Sequence, residues 1–566
     1  MPAVKNALRW LTQGSPSTPA AGQVKEWMTN DTVPRLKTKT SAGTERYLPY
    51  EFFFNVKDYG ATGDGTTDDA TAIQAAIAAA VTAGGGTVLF PTGTYKINSE
   101  LEITGAYVRL LGSHRATIKR GSSGMQYMVK NFNSSYAPTG WGSSRHNLQI
   151  ESLTFDADGA NISAACTVIV FAHAAAIRCY DLTIVNVPDW HGIEVNACRE
   201  VVIQNCQFSG FRVVTAGREM SEAIQIDLAV NSGALPGIGA GAYDNTPCYN
   251  VLIQGCYAGS FGSLGGFGKL VGSHAATDTF EHENIRVIGN FAEVLNDYGV
   301  ACYNWNNAVI TGNQFVDCNG GVLIEIPTAC TTDIERFLIA NNQFINCGLQ
   351  NNGTAIKDKL IETRLTGTGV MRSVTINNNQ IKTFANPHAI YISTASDVVC
   401  NGNSIRNGTN ASSVAIRANN SALGVYHGNK IDSVLGTAII LENVATECVV
   451  SGSIVNSACN GIQVNAIRAI ISNNVLRITS LSKYGIQLTT TADETVIVGN
   501  SIRQSVASPT QAGIDIDGAM DAIIQNNWIK GWGTTEGSTG PINRGGTLNP
   551  NITVNTIGTT NLNAYQ

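Results

Sequence analysis

A chain of 566 residues has the length of roughly three or four average domains, although β-rich folds often run longer as one unit. With 14% charged residues, 43% hydrophobic residues and 58 Gly against 15 Pro, it is too apolar for a disordered chain and too poor in charge for a helix-rich, ion-paired surface. A net charge of −6 supplies no long-range attraction for nucleic acid or an anionic membrane, so neither partner is expected. The 13 Cys form no CxxC pair, which argues against a zinc ribbon or redox motif and predicts buried thiols. No run approaches the about 18 consecutive apolar residues of a membrane span, and residues 1–23 lack the apolar region of an export signal. The expectation is a soluble chain with no membrane insertion and no recognisable export signal.

In chain order, residues 1–50 carry more charge and Pro and no repeat, and read as a separate attachment segment or small β-structure. Residues 51–105 contain a predicted helix over 67–81, with acidic residues in its first turn and Ala-rich apolar spacing, ended by Gly84, Gly85 and Gly86 and followed by a strand over 87–90. Asp64, Asp68 and Asp69 are read as turn and helix-start residues. Residues 106–530 repeat. Segments of the form apolar-x-apolar-x-x-Asn-x-apolar, such as NAVITGNQF and SVTINNNQI, align one column at Leu153, Leu182, Cys206, Cys256, Asn290, Asn313, Asn342, Asn379, Asn403, Asn429, Ser453, Asn474, Asn500 and Asn527. Most gaps lie near 25 residues and the outlier, between Cys206 and Cys256, is 50. A second motif falls between the first, as in HGIEVN, EAIQID, YGVACY, HAIYIS and AGIDID.

Two short alternating strands per repeat, each followed by a turn, describe one coil of a parallel β-helix. Stacked Asn side chains can then bond from coil to coil, and Asn tolerates the left-handed backbone of a sharp corner. Cys318 and Cys347 should stack inside. The helix before the first coil caps the solenoid's open end. Residues 531–566 are left as a C-terminal tail.

The stretch FNVKDYGATGDGTTDDATAIQAAI with GGGTVLFPTGTYKI, within residues 54–97, resembles the start of the pectate-lyase-like right-handed β-helices, widespread among bacteriophage tailspikes. Residues 22–48 look like a phage tail attachment segment. Residues 222–274, with EAIQID, YDNTPC and VGSH, resemble a teichoic-acid-degrading phage tail appendage. The resemblance implies a homotrimer in the virion tail, folded in the host cytoplasm, docked through its N-terminus on a tail or baseplate protein. It also implies a host cell-surface polysaccharide or teichoic acid as partner and substrate.

Candidate chemistry gathers around the 50-residue gap, where His191, Glu194, Glu222, Asp227, Asp244, His274, Asp278, Glu281, His282 and Glu283 lie. Coils stack at about 4.8 Å, and in that register Glu194 neighbours Gln225, His191 neighbours Glu222 and Asn196 neighbours Asp227. Paired carboxylates suit glycoside hydrolysis; with His274 or His282 as proton donor, the cluster also suits water attack on a phosphodiester, with a divalent cation (Ca2+ or Mg2+) held by Asp227 and Asp244. Glu222 and Asp227 are the first choice for acid and base, Glu194 the alternative carboxylate, His274 the donor or phosphate contact, and Asp244 completes the site. His191, Gln225, His282, Tyr243, Tyr298, Tyr303 and Trp305 are candidate substrate contacts, the aromatic ones as stacking surfaces for sugar rings. The loop over 228–249 is expected to wall a cleft. Asp515 and Asp517 form an isolated pair read as structural. The Asn-Thr-Asp, Gly-His-Gly and Arg-Ile-Lys signatures of polygalacturonate hydrolases are absent, so pectin hydrolysis is not expected. A polysaccharide lyase recruiting Arg212, Arg218 and Lys269, and a non-catalytic adhesin, stand as alternatives.

Overall fold

The computed structural model describes most of residues 12–565; the longer stretches outside it are 1–11, 30–35, 48–52, 275–279, 350–356, 533–539 and 545–550. Asp278 and much of the expected C-terminal tail therefore lie outside the described residues. From Phe53 the chain winds as a right-handed parallel β-helix whose strands stack into three long parallel sheets. One coil runs through Arg199–Gln204 in the first sheet, Gln207–Arg212 in the second and Glu222–Asp227 in the third, after which Tyr249–Gln254 pairs in parallel with Arg199–Gln204. The coil thus holds three strands, not two. The Asn-centred motif spans two of them, because its apolar positions fall on either side of a corner short enough to read as one segment.

The column Asn side chains form the expected ladder. Asn313 Nδ2 donates to Asn342 Oδ1 at 3.0 Å and to the Val287 carbonyl at 2.9 Å, while its backbone N–H donates to the same Asn342 Oδ1 at 2.9 Å. The rung repeats from Asn342 to Asn379, Asn403 and Asn429, and resumes at Asn474. The left-handed backbone belongs to the residue before the column, as at Gly312 (φ 68°), Asn341 (φ 56°) and Gly402 (φ 63°). The ladder needs the column side chain pointing inward from ordinary backbone, so the corner's strain falls one residue earlier, on Gly or Asn.

A single apolar core fills the solenoid, and Cys318, Cys347 and the other 11 Cys are buried free thiols in the fold. The helix Ala70–Thr82 buries Ile73, Ala76, Ile77 and Ala80 against the first coil. Asp69 accepts from Thr62 N–H at 2.6 Å and Gly63 N–H at 3.0 Å, and Asp64 from Thr66 and Thr67 N–H at 2.8 Å, so these carboxylates tie the loop ahead of the helix. Upstream, Val24–Thr29, Leu36–Thr40 and Glu45–Tyr47 form an antiparallel meander with Thr12–Gln13 alongside. At the other end the coils continue past residue 530: Asn551–Thr553 pairs with Ile523–Gln525, and Asn555 accepts from Asn527 Nδ2 at 3.0 Å as a further rung. Among the described residues, no helix is long and apolar enough to cross a membrane.

The third sheet has an unusual stretch. Thr167–Ala172, Ile193–Asn196, Glu222–Asp227 and Lys269–Gly272 are buried on both faces, whereas His388–Ser393 and Asn460–Asn465 alternate as a half-exposed sheet does. Two excursions roof it. Phe132 and Tyr136 from one loop and Leu235, Ile238 and Ala242 from the loop over 228–249 pack on Val170 and Ala172, a small apolar cluster outside the main core.

Candidate active site on the third sheet

Beside that roof lies a narrow recess lined by Tyr127, Thr167, Trp190, His191, Glu194, Arg218, Gln225, Pro236 and His274. Sheet register builds its floor: Val170, Glu194, Gln225 and Gly272 occupy one row, and Asn196 stands beside Asp227, as the repeat alignment predicts. His191 Nδ1 sits 3.2 Å from the Glu222 carbonyl oxygen and 3.4 Å from its Oε2. Gly272, after Gln225 in the row, leaves space for the Glu222 and Lys269 side chains, since a Cβ there would come within 3.0 Å of Glu222 Oε1 and 2.9 Å of Lys269 Cδ.

The carboxylates are tuned apart. Glu194 is buried, accepts from Asn196 Nδ2 at 2.8 Å and Thr167 Oγ1 at 3.1 Å, and burial, aided by the Asp227 charge, pushes its pKa up to about 7. Burial raises Asp227 too, against the pull of His274; Asp227 accepts from Gln225 Nε2 at 2.6 Å and Leu228 N–H at 2.9 Å and lies 3.4 Å from His274 Nδ1. Glu222 meets the same burial, but Lys269, His274 and His191 hold it down to about 2. Lys269 Nζ donates to Glu222 Oε1 at 2.9 Å and to the Met220 carbonyl at 2.7 Å and pairs with Asp297 at 3.3 Å. Glu222, first choice for acid or base, is thereby a fixed charge beneath the recess rather than a proton donor.

Several expected site residues stand elsewhere. The loop over 228–249 folds back toward the N-terminus, and Asp244 accepts from Gly140 N–H at 2.6 Å and Thr246 N–H at 3.0 Å, near His173. His173 is two coils from Asp227 by backbone pairing, so the structure separates the two carboxylates expected to share a cation. Tyr243 edges the apolar cluster under the roof and donates to the Leu235 carbonyl. Trp305 is fully buried, with Nε1 donating to Ser273 Oγ at 2.7 Å, and buried His282 accepts at Nδ1 from Cys248 N–H at 3.0 Å. Both sit in first-sheet pairing, on Trp305–Thr311 and His282–Ile288, where the pleat turns them inward; neither is a sugar-stacking surface. Tyr298 is buried and donates to Glu362, and Tyr303 packs beside it. Glu283 lies in the first sheet, Arg212 in the second, and Asp515 accepts from Asn543 Nδ2 at 2.6 Å.

Sequence reasoning passed over Tyr127, Thr167, Trp190 and Pro236. Thr167 was within reach, since Thr167–Ala172 continues the third-sheet register of HGIEVN by one coil. Tyr127 and Pro236 meet only because the loop returns across 109 residues, with the Tyr127 hydroxyl donating to the Pro236 carbonyl at 3.1 Å.

The fold and site define a right-handed parallel β-helix with an acidic, histidine-bearing recess on one outer face. Residues 53–261, which include Glu194, Glu222 and Asp227, match the family model described as "Rhamnogalacturonase A/epimerase, pectate lyase-like". The plasmin and fibronectin-binding protein A of Streptococcus pneumoniae is 30% identical over 297 residues, 48% of this chain and 41% of that protein. The mannuronan C5-epimerase AlgE3 of Azotobacter vinelandii is 38% identical over 119 residues, 20% of this chain and 6% of that protein. The chain spans less than half the length of these curated relatives. The crystal structure of PfbA, a surface adhesin of Streptococcus pneumoniae, superposes with a TM-score of 0.55 at 19% identity, covering 77% of this chain and 92% of that one, a likeness of fold.

Proposed function

We propose that the protein is a depolymerase of the kind carried on phage tails, which binds a host cell-surface polysaccharide or teichoic acid and hydrolyses it in the recess over Glu194. The observation that carries this reading is the separation of proton affinities: Glu194 pushed up to about 7 beside Glu222 held down to about 2. A protonated acid next to ionised groups is the electrostatic requirement for cleaving a glycosidic bond. Glu194 donates its proton to the leaving oxygen, and Asp227, positioned by Gln225 and His274, takes one from the attacking water. One coil across and two residues along separate Glu194 and Asp227, about 8 Å between Cα atoms, and both carboxylates belong to the same buried stretch of the third sheet. In this reading residues 22–48 dock on the tail, and three chains assemble.

The test incubates the chain with purified teichoic acid and with neutral and acidic polysaccharides, following reducing ends, released phosphomonoester and unsaturated uronate. Hydrolysis with Glu194→Gln and Asp227→Asn each reducing kcat by about 10²–10⁴-fold is expected. Unsaturated product instead of reducing ends alone makes the enzyme a lyase. A second reading, a non-catalytic adhesin, is favoured by the 30% identity to a plasmin- and fibronectin-binding protein; tight glycan or host-protein binding with no product from any substrate selects it.

A further inference from the structure

Glu222 places its two oxygens in different surroundings. Oε1 is bonded to Lys269 Nζ. Oε2 is buried and accepts no hydrogen bond, although two imidazole nitrogens face it, His191 Nδ1 at 3.4 Å and His274 Nε2 at 3.9 Å. A buried carboxylate oxygen without a hydrogen bond is costly, and its position between two imidazoles fits a ligand bound there. One ligand atom from each of His191, Glu222 and His274 lies within 4.8 Å of the other two. Ligands on bonds of about 2.0–2.2 Å at a tetrahedral centre stand about 3.4 Å apart. The His191–Glu222 spacing already matches, and His274, whose side chain is 42% exposed, has room to turn inward and close its 3.9 Å gap to Glu222 Oε2 and its distance to His191.

The surroundings fit the same purpose. His191 Nδ1 donates its proton toward the Glu222 carbonyl oxygen at 3.2 Å, and binding a cation there takes the other ring tautomer, with the proton on Nε2. Asp227 Oδ2 lies 3.4 Å from His274 Nδ1, the carboxylate–imidazole pairing that orients a metal-bound histidine through its far nitrogen. Gln225 Nε2, 3.0 Å from His274 Nε2, is the group a cation displaces, and Gln225 Oε1 is itself buried without a partner. Two imidazoles and one carboxylate favour a borderline cation over Ca2+ or Mg2+, which prefer oxygen donors throughout.

We propose that His191 Nδ1, Glu222 Oε2 and His274 Nε2 form a binding site for a divalent transition cation of the Zn2+ class, with its remaining position open to the recess. The site uses neither Glu194 nor the identity of the substrate. The 566-residue chain, stripped with chelator and dialysed, is titrated calorimetrically with Zn2+ and with Ca2+, and separately with Co2+ read by its d–d absorption. Expected are one Zn2+ per chain, a nitrogen- and oxygen-ligated Co2+ spectrum and far weaker Ca2+ binding. His274→Ala, at the partly exposed ligand, weakens Zn2+ by about tenfold or more with an unchanged melting temperature in chelator. Because Glu222→Gln also unpairs Lys269, His191→Gln serves as the second variant, with circular dichroism as the folding control. No Zn2+ or Co2+ binding, or equal binding by His274→Ala, overturns the site. Metal binding without any glycan cleavage leaves it standing and sinks the hydrolase reading, whereas chelator-insensitive cleavage with no metal bound does the reverse.

Discussion

Glu194 and Glu222 sit one coil apart in equal burial, and what divides them is the company of cations. Their folded pKa values give stability opposite dependences on pH. Between about 4.5 and about 7 the folded chain keeps a proton on Glu194 that the unfolded chain has released, so Glu194 favours folding below that window and loses this contribution as pH rises through it. Glu222 contributes above about 4.5 and loses its contribution as pH falls toward about 2. Glu194→Gln should therefore flatten the fall in urea midpoint between about pH 5 and about pH 8, an effect on the order of 3 kcal/mol; an unchanged slope would mean that Glu194 is not buried as described. Activity should fall over the same alkaline range, as the acid loses its proton. At this scale the sequence was legible in register but not in depth. Counting along the repeat placed Glu194 beside Gln225 and Asn196 beside Asp227. Nothing local shows that Gly140 N–H reaches Asp244 across 104 residues, and that contact is what draws Asp244 out of the site and roofs the sheet.

The corner between the first and second sheets shows what an element-level pattern reveals. The Asn column was readable because the ladder demands one side chain with both donor and acceptor at each rung, and no other residue type substitutes freely. Ser453 interrupts it: Asn429 N–H reaches only the Ser453 hydroxyl, at 3.3 Å, and Ser453 offers no amide to extend the side-chain chain of bonds. Ser453→Asn should raise stability by about 1 kcal/mol by restoring that rung. Asn403→Ala should cost on the order of 3 kcal/mol, since it strips the acceptor from Asn379 and the donor from Asn429 and the Ile376 carbonyl, all buried. Chemical denaturation measures both; a neutral Asn403→Ala would mean the ladder is ornamental. The third strand of each coil was missed for a related reason, as a strand of three to seven residues joined through one left-handed residue does not interrupt the apolar alternation. The last coil was legible and overlooked: NITVNTIG repeats the motif at Asn555.

For the whole molecule, the decisive property is that each coil's strands pair only with those of the coils beside it, so away from the roofing loops stability is a chain of local terms rather than one cooperative sum. The composition follows from this geometry: corners take Gly and Asn, and stacked strands leave few charged positions. It also makes the two ends unequal for function, because the recess at Ile193–Asn196 and Glu222–Asp227 lies close to the capped end and far from the last coils. Asn527→Ala, which breaks the rungs to Asn500 and Asn555, should raise amide hydrogen exchange in Ser501–Gln504 and Trp528–Lys530 and leave the recess strands protected. Ile77→Asp puts a charge under the capping helix, against the first coil, and should open Gly86–Phe90 and Val108–Gly112 first, with protection recovering only toward later coils. Activity should survive the first substitution and fall with the second, although neither residue lines the recess. Uniform exchange after either lesion would show that the solenoid unfolds as one unit, and the separation of cap, site and C-terminal coils into local terms would not hold.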